Sequence, residues 1–448
     1  MATVGRGGGR GPEKLRFRAL LDCIATGAKT VPDARQKDRA QMGIEDFYLS
    51  GFALFFLQDP SVLEFQRRFE DQIQSNNLRT VFGIQQIPSD THLRDLLDRQ
   101  PAAFLRAVFN EYLRRLQRSK QLQRYQFLDE GYLLTLDGSE YFSSENVHCQ
   151  RCLQRRKSDG RVEYYHQIVQ PALVHPDLRQ VLPLAPQFIR GQDGATRQDC
   201  EINAAKRLIK DLRQEHAQLK AVVVGDSLYS TMPMIAELKA HRFLFLLVAK
   251  PDDHKSLFED VKGLQRGAGL EKLLVAQPKG KRFLYEWVNQ IPLGADPKSP
   301  LVNFVQLHIY DAKGELTYRC SWVTDIALDK DNVQKVVRAA RARWKIENEG
   351  FNTLKNQGYH LEHNFGHGSQ HLSETLFLLN LLAYFVHQIQ ELVDQVYQLA
   401  RAGFSSRVEF WNVMRGSFRM LLYASWEEVL SRITGPPLPA FPQSSPQN

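Results

Sequence analysis

Asp137, Asp226 and Glu347 are the side chains of this 448-residue sequence best placed to do chemistry. Asp137 closes the apolar run Tyr132-Leu-Leu-Thr-Leu136 and precedes Gly138; Asp226 closes Ala221-Val-Val-Val-Gly225 and precedes Ser227-Leu-Tyr229. Glu347 lies in Arg341-Ala-Arg-Trp-Lys-Ile-Glu347-Asn-Glu-Gly350. A carboxylate just past a buried strand is held at a sheet edge, where a cation or substrate reaches it. Three together make a hard, all-oxygen ligand set suited to two divalent cations, Mg²⁺ or Mn²⁺, and so to phosphoryl transfer. Taken singly, each Asp reads more simply as a turn residue. The Glu shifts the balance. On a regular helix it shares an otherwise apolar, inward face with Arg343, Trp344, Phe351 and Leu354, where an unpaired charge is costly. Glu349 falls about 200° away, beside Lys345 and Asn356, and reads as a solvated acid.

Two further clusters carry ligand-type side chains. His148-Cys-Gln-Arg-Cys152, with His166 downstream, has a zinc-ligand spacing. A structural zinc site takes four ligands and there is no second Cys pair. The expectation is therefore a β-hairpin bearing two thiols, with Zn²⁺ on His148, Cys149, Cys152 and His166 as the rival. His360, His363, His367 and His371 recur at near-helical spacing, but Gly366 and Gly368 interrupt the helix. A loop packed near the active site or touching DNA is expected there, not a metal cage. The run Arg106, Arg114, Arg115, Arg118, Lys120 and Arg124 reads either as a solvated helix face or as a phosphate-contacting stripe. Arg151, Arg155, Arg156, Lys157 and Arg161 read as a basic hairpin tip with the same two options.

Positioning the acids requires a sheet. Strands are expected over 132–137, 163–169, 221–225 and 243–249, with helices over about 199–215 and 231–239. That order suits an α/β (α+β) fold, a mixed sheet flanked by helices. Residues 251–325 are more β-like, including Arg282-Phe-Leu-Tyr-Glu-Trp287, and read as a β-rich insertion. Helices follow over about 331–357 and 370–402. Residues 14–127 read as a helical DNA-binding region, with Pro88-Ser-Asp-Thr-His92 capping a run that reaches Leu122. The expected layout is a disordered tail over 1–13, this helical region, a sheet domain over 128–434 and a second tail over 435–448.

Lys and Arg number 58 against 50 Asp and Glu, a net charge of +8 that favours a polyanionic partner without demanding one. Five scattered Cys make no disulfide framework, which points to a reducing cytoplasm. The first ten residues lack the apolar core of a signal peptide. The most apolar stretch, from Leu376 to Val386, is too short to span a bilayer and reads as a buried helix of a soluble protein with no membrane partner.

The stretch Trp344-Lys-Ile-Glu-Asn-Glu-Gly-Phe-Asn-Thr-Leu-Lys355, followed by Gly358-Tyr-His-Leu-Glu-His-Asn-Phe-Gly-His-Gly368, resembles the C-terminal motif of bacterial DDE insertion-sequence transposases. Leu136-Asp-Gly138 and Gly225-Asp-Ser-Leu-Tyr229 resemble the contexts of that family's first two acids, and the likeness extends over roughly residues 45–430, including Gln198-Asp-Cys-Glu201. The resemblance implies a ribonuclease-H-like core and catalysis by Asp137, Asp226 and Glu347 with two Mg²⁺ (or Mn²⁺) ions. It implies double-stranded DNA partners (terminal inverted repeats and target), a homodimer in the DNA complex, and a cytoplasmic, nucleoid-associated setting. In many relatives a Tyr, an Arg, the Glu and a Lys share the last helix at spacings of three, four and seven. Here Arg343 stands four before Glu347, but position 340 is Ala and Lys355 stands eight after. Arg343 is thus the expected phosphate contact, with Lys355, Arg115 and Arg118 as further candidates. The rivals are a metal-dependent nuclease on the same fold and an element-derived protein that only binds DNA. A paired-carboxylate glycosidase fits the basic surface poorly.

Overall fold

Two apolar runs become parallel neighbours at the centre of a mixed sheet. The computed structural model describes residues 12–33, 35, 42–191, 198–267 and 269–435, so the tails expected over 1–13 and 435–448 lie almost wholly outside it. The strands are β1 (Tyr132–Ser144), β2 (Leu153–Arg156), β3 (Val162–Val174), β4 (Leu182–Pro183), β5 (Gln187–Ile189), β6 (Ala221–Gly225), β7 (Leu244–Val248), β8 (Glu271–Ala276), β9 (Arg282–Pro292), β10 (Leu301–Tyr310) and β11 (Leu316–Thr324). They follow the order β2-β3-β1-β6-β7-β11-β10-β9-β8, with β4 and β5 pairing the free side of β3. β1, β6 and β7 run parallel; every other pairing is antiparallel. β6 is buried throughout, as a strand covered on both faces must be.

β1 and β3 are longer than the apolar runs suggest, 13 residues each. Residues 133–136 are continuously buried, but beyond Asp137 β1 alternates, with Ser139 and Tyr141 inward. A one-sided strand of that kind carries polar residues and hides from a search for apolar runs. The stretch 251–325 holds β8 to β11, an antiparallel block that continues the sheet from β7 through β11, preceded by a helix at Lys255–Arg266.

The helices are α1 (Phe17–Ala28), α2 (Ile44–Phe56), α3 (Val62–Phe69), α4 (Gln72–Asn77), α5 (Asp90–Arg99), α6 (Ala103–Arg118), α7 (Glu201–Glu215), α8 (Met232–Ala240), α9 (Lys255–Arg266), α10 (Val333–Arg341), α11 (Asn352–Asn356), α12 (Leu372–Val393), α13 (Gln395–Ala402), α14 (Arg407–Met420) and α15 (Trp426–Ile433). Ser89 caps α5, its hydroxyl accepting the His92 N–H. α6 stops at Arg118, short of Leu122, and Lys120 turns the chain with a left-handed backbone (φ 62°). α12 is 22 residues long, twice the apolar run that announced it, and 89% of its most apolar window is buried. It packs against α2, α5 and β4, which makes it the axis of the helical layer.

The helix expected over 331–357 is broken. α10 ends at Arg341, and Ile346–Phe351 form wide, π-type turns before α11. Each such turn takes an extra residue, so side-chain angles computed at 3.6 residues per turn fail there.

Candidate active site

The β1–β6 register runs from Tyr132 opposite Ala221 to Thr135 opposite Val224. Two residues further on, the same register sets Asp137, in the middle of β1, beside Asp226, just past the end of β6, where the parallel pairing at about 4.8 Å spacing stops. This is the edge of a parallel sheet at which ligands bind. Asp226 is also held by a local bond, its Oδ1 accepting the Leu228 N–H at 2.9 Å. The wide turns that carry Glu347 pack against β1.

Electrostatics link the three groups. Asp137 is partly buried, and its carboxyl is pushed up to about 7. Burial contributes most; the Glu347 charge adds to it, nearby Arg343 opposes it, and Asp226 and Glu201 add smaller repulsions. Arg343 Nη1 donates to Glu347 Oε1 at 2.5 Å. Its side chain is 14% exposed against 45% for Glu347, so the cation sits below the acid.

The inward, apolar face assigned to Glu347 does not hold. Phe351 and Leu354 are buried, but Trp344 is 55% exposed and Glu347 projects outward, while Glu349 is the half-buried one of the pair. The break after α10 and the π-type turns from Ile346 are the cause, because neither keeps the regular spacing of 3.6 residues per turn. The main-chain carbonyl of Glu349 accepts the Tyr384 hydroxyl at 2.9 Å, tying this segment to α12.

Glu201, at the first position of α7, is an acid that sequence reasoning assigned no role. It accepts the Tyr229 hydroxyl at 2.7 Å and the Gln167 amide at 3.1 Å. A Cβ built at Gly138 would run into its carboxylate. It therefore packs against the residues that follow both Asp137 and Asp226. Burial pushes its carboxyl up, the Tyr229 bond pulls it back and the Asp226 charge raises it again. An acid in the first turn of a helix is commonplace, so residue type alone gave no signal.

The remaining candidates scatter. Lys355, on α11, pairs with Glu362 at 2.7 Å. Arg115 is not a free surface cation: it donates to the Lys14 and Ala19 carbonyls at 3.0 and 2.8 Å and to Glu111 at 3.1 Å, and is only 18% exposed. It clamps α6 to α1. Arg118 is 61% exposed, 3.9 Å from Glu111. Arg106 pairs with Asp211 and Glu215, and Arg124 donates to the Leu392 carbonyl. Arg155, Lys157 and Arg161 are matched by Glu140, Glu145, Asp159 and Glu163. Cationic side chains along these stretches are mostly spent on the protein itself.

His148 stacks on Tyr164, with ring centroids 4.3 Å apart, and takes no part in the thiol cluster. Cys149, Cys152 and His166 do converge, and the residue that joins them is His367. The pair of thiols is therefore not a bare hairpin. Of the four downstream histidines, His367 alone turns toward the cysteines.

Residues 172–386 match the family described as transposase DDE domain. The match takes in Asp226, Arg343, Glu347 and Lys355 and begins after Asp137. Comparison with curated proteins finds no match.

Proposed function

The chain carries a DDE-type transposase domain, and from that premise we propose that it cuts and joins DNA strands through Asp137, Asp226 and Glu347. The observation that carries the reading is the β1–β6 register that sets Asp137 beside Asp226, with the turns that carry Glu347 packed on β1; burial and these acids push the Asp137 carboxyl up. Mutually repelling carboxylates brought together at one place on the sheet, offering only oxygen, fit a hard divalent cation. Mg²⁺ or Mn²⁺ held by these three residues would supply Lewis-acid stabilisation of the scissile phosphate and acidity for an attacking hydroxyl.

The chain's own groups do the positioning. β1 and β6 fix Asp137 and Asp226 to the rigid centre of the sheet, and the Leu228 N–H orients the Asp226 carboxylate. Glu201, bonded to Tyr229 and packed on Gly138, sets the spacing of the two strand ends. Arg343 holds Glu347 and presents a guanidinium suited to a phosphate oxygen. Neither Ser nor Tyr need act as a nucleophile, since water and then a DNA 3′-hydroxyl attack directly.

DNA in this reading lies along the cleft lined by Tyr285, Tyr318, Arg338, Arg341, Trp344 and Lys345. Trp344 is the exposed aromatic there, and the Arg341 guanidinium lies 5.3 Å from the Tyr318 ring centroid. Cations interleaved with aromatics suit a phosphate backbone with a stacked base. The partners are the element's terminal inverted repeats and target DNA, gripped by a homodimer. Within residues 14–127, read as the DNA-binding region, Arg106, Arg115 and Arg124 are engaged inside the fold, and Arg118 is the more exposed candidate for a phosphate.

A strand-transfer assay tests the reading. Duplexes from the DNA flanking the gene, labelled at the 3′ end, should yield both cut product and label joined to a second duplex in Mg²⁺. Cutting without joining would assign a nuclease, and binding without either would assign a DNA-binding remnant.

A further inference from the structure

We propose that Cys149, Cys152, His166 and His367 form a structural zinc site that fastens the far end of the β1–β3 hairpin to the loop after Glu347. The cysteines lie in the β1–β2 connection, His166 is on β3, and His367 comes from the loop between α11 and α12. Their ligand atoms all lie within 4.8 Å of one another. Sγ to Sγ is 3.9 Å; the Cys149 and Cys152 sulfurs lie 3.6 and 3.5 Å from His166 Nε2; Cys152 Sγ is 3.4 Å from His367 Nε2; and the two Nε2 atoms are 3.1 Å apart. A tetrahedron with bonds of about 2.3 Å to sulfur and about 2.05 Å to nitrogen has edges of about 3.8 Å (S–S), 3.6 Å (S–N) and 3.3 Å (N–N). The five separations match those edges within a few tenths of an ångström.

Three features prepare the site. His367 Nδ1 donates to the Gly368 carbonyl at 2.9 Å, which fixes the tautomer with its Nε2 lone pair turned toward the thiols. The Cys149 N–H points at Cys152 Sγ at 3.4 Å, a donor placed for a thiolate. The loop itself is pinned, because Asp98 accepts the N–H groups of Ser369, Gln370, His371 and Leu372. Cys152, His166 and His367 are 4%, 3% and 6% exposed, so four protein ligands close the site and leave no position for substrate. Binding Zn²⁺ releases one proton from each thiol, and the resulting centre is neutral, as burial requires.

The link joins positions 215 residues apart. It lies about 17 Å along β1 from Asp137, five residues at strand rise, and so is distinct from the acids. Its effect reaches them mechanically, by holding the segment after Glu347 against the strand that carries Asp137.

Metal content decides the matter whether or not the acids cut DNA. Full-length protein, purified without a polyhistidine tag or chelator, should contain about one zinc per chain. Zinc-edge absorption should show two sulfurs at about 2.3 Å and two nitrogens at about 2.0–2.1 Å. Cobalt exchange should give tetrahedral bands with thiolate charge transfer. Cys149→Ser and His367→Ala should lose the metal; His148→Ala and Cys200→Ser should keep it. Wild-type protein that is zinc-free and gives no such cobalt spectrum overturns the proposal without recourse to any variant. So does a protein that holds zinc with His367→Ala but not with His148→Ala.

Discussion

Arg343 donates to the carboxylate of Glu347 at 2.5 Å, four residues along the chain, while its charge also steadies the half-buried carboxyl of Asp137. One guanidinium thus serves two acids. Without a divalent cation it is the positive group that relieves their repulsion, and a cation at the acids competes with it. Arg343→Gln should therefore tighten Mn²⁺ binding by roughly tenfold, the scale of one unit charge several ångströms away at intermediate dielectric. DNA cleavage should fall in the same variant, because the phosphate contact is gone. Calorimetric titration and a cleavage assay on one preparation check both, and weaker Mn²⁺ binding would show that Arg343 supports the cation instead of competing with it.

The Asp137 carboxyl makes the cation-free protein sensitive to pH. Its folded value of about 7 stands above the ordinary 3.8, so between those values the folded chain holds a proton that the unfolded chain has released. The stabilisation is complete below about pH 4 and is lost as pH rises toward about 7. Asp137→Asn should remove this dependence and raise the melting temperature at pH 8 by roughly 2–5 °C, about 1–3 kcal/mol. Mg²⁺ should stabilise the parent and not the variant. Identical melting profiles for the two proteins across that window would refute the assignment.

Gly138 and Glu201 are expected to be energetically coupled. Gly138→Ala forces the Glu201 carboxylate off Tyr229 and Gln167, at a cost of about 1–3 kcal/mol. Adding Glu201→Ala should recover part of that loss, giving a coupling above about 0.5 kcal/mol in a denaturation cycle. Strict additivity would mean the glycine answers to something else.

Arg115 is expected to matter for folding and not for DNA. Arg115→Gln removes donors to the Lys14 and Ala19 carbonyls, so it should destabilise by about 1–2 kcal/mol. The slope of log affinity against log salt should not move. A slope reduced by about 0.9 with unchanged stability would return Arg115 to the phosphate contacts.

The strand-end acids were legible because a buried parallel strand is a short apolar block, and its last residue is readable as such. Asp226 sits just past β6, whereas Asp137 marks only where the continuous burial of β1 stops, since that strand runs on to Ser144. The outer halves of β1 and β3 were not legible, since a one-sided strand mixes polar with apolar residues. Glu347 was found through its motif, but its orientation was misread because π-type turns leave no mark in a hydrophobic pattern. The thiol cluster failed for a different reason. Three ligands lie within 18 residues of sequence, whereas His367 arrives from 201 residues beyond His166, and tertiary folding alone supplies it. His148, adjacent in sequence, faces the wrong way. Glu201 and Arg115 show the same limit, because an acid at a helix start and an arginine in a basic stripe take their roles from neighbours distant in the chain.

The most direct measurement is Mg²⁺-dependent cleavage of the DNA flanking the gene by four single variants. Asp137→Asn, Asp226→Asn and Glu347→Gln should each lower the rate by roughly three orders of magnitude or more, as expected of groups that act as a unit, with DNA binding retained. Glu349→Gln, two residues away and bonded to the rest of the fold through its carbonyl, should stay within a few-fold of the parent. Comparable loss from Glu347→Gln and Glu349→Gln in folded protein, or cleavage that survives any one of the three carboxamide changes, would contradict the proposed site.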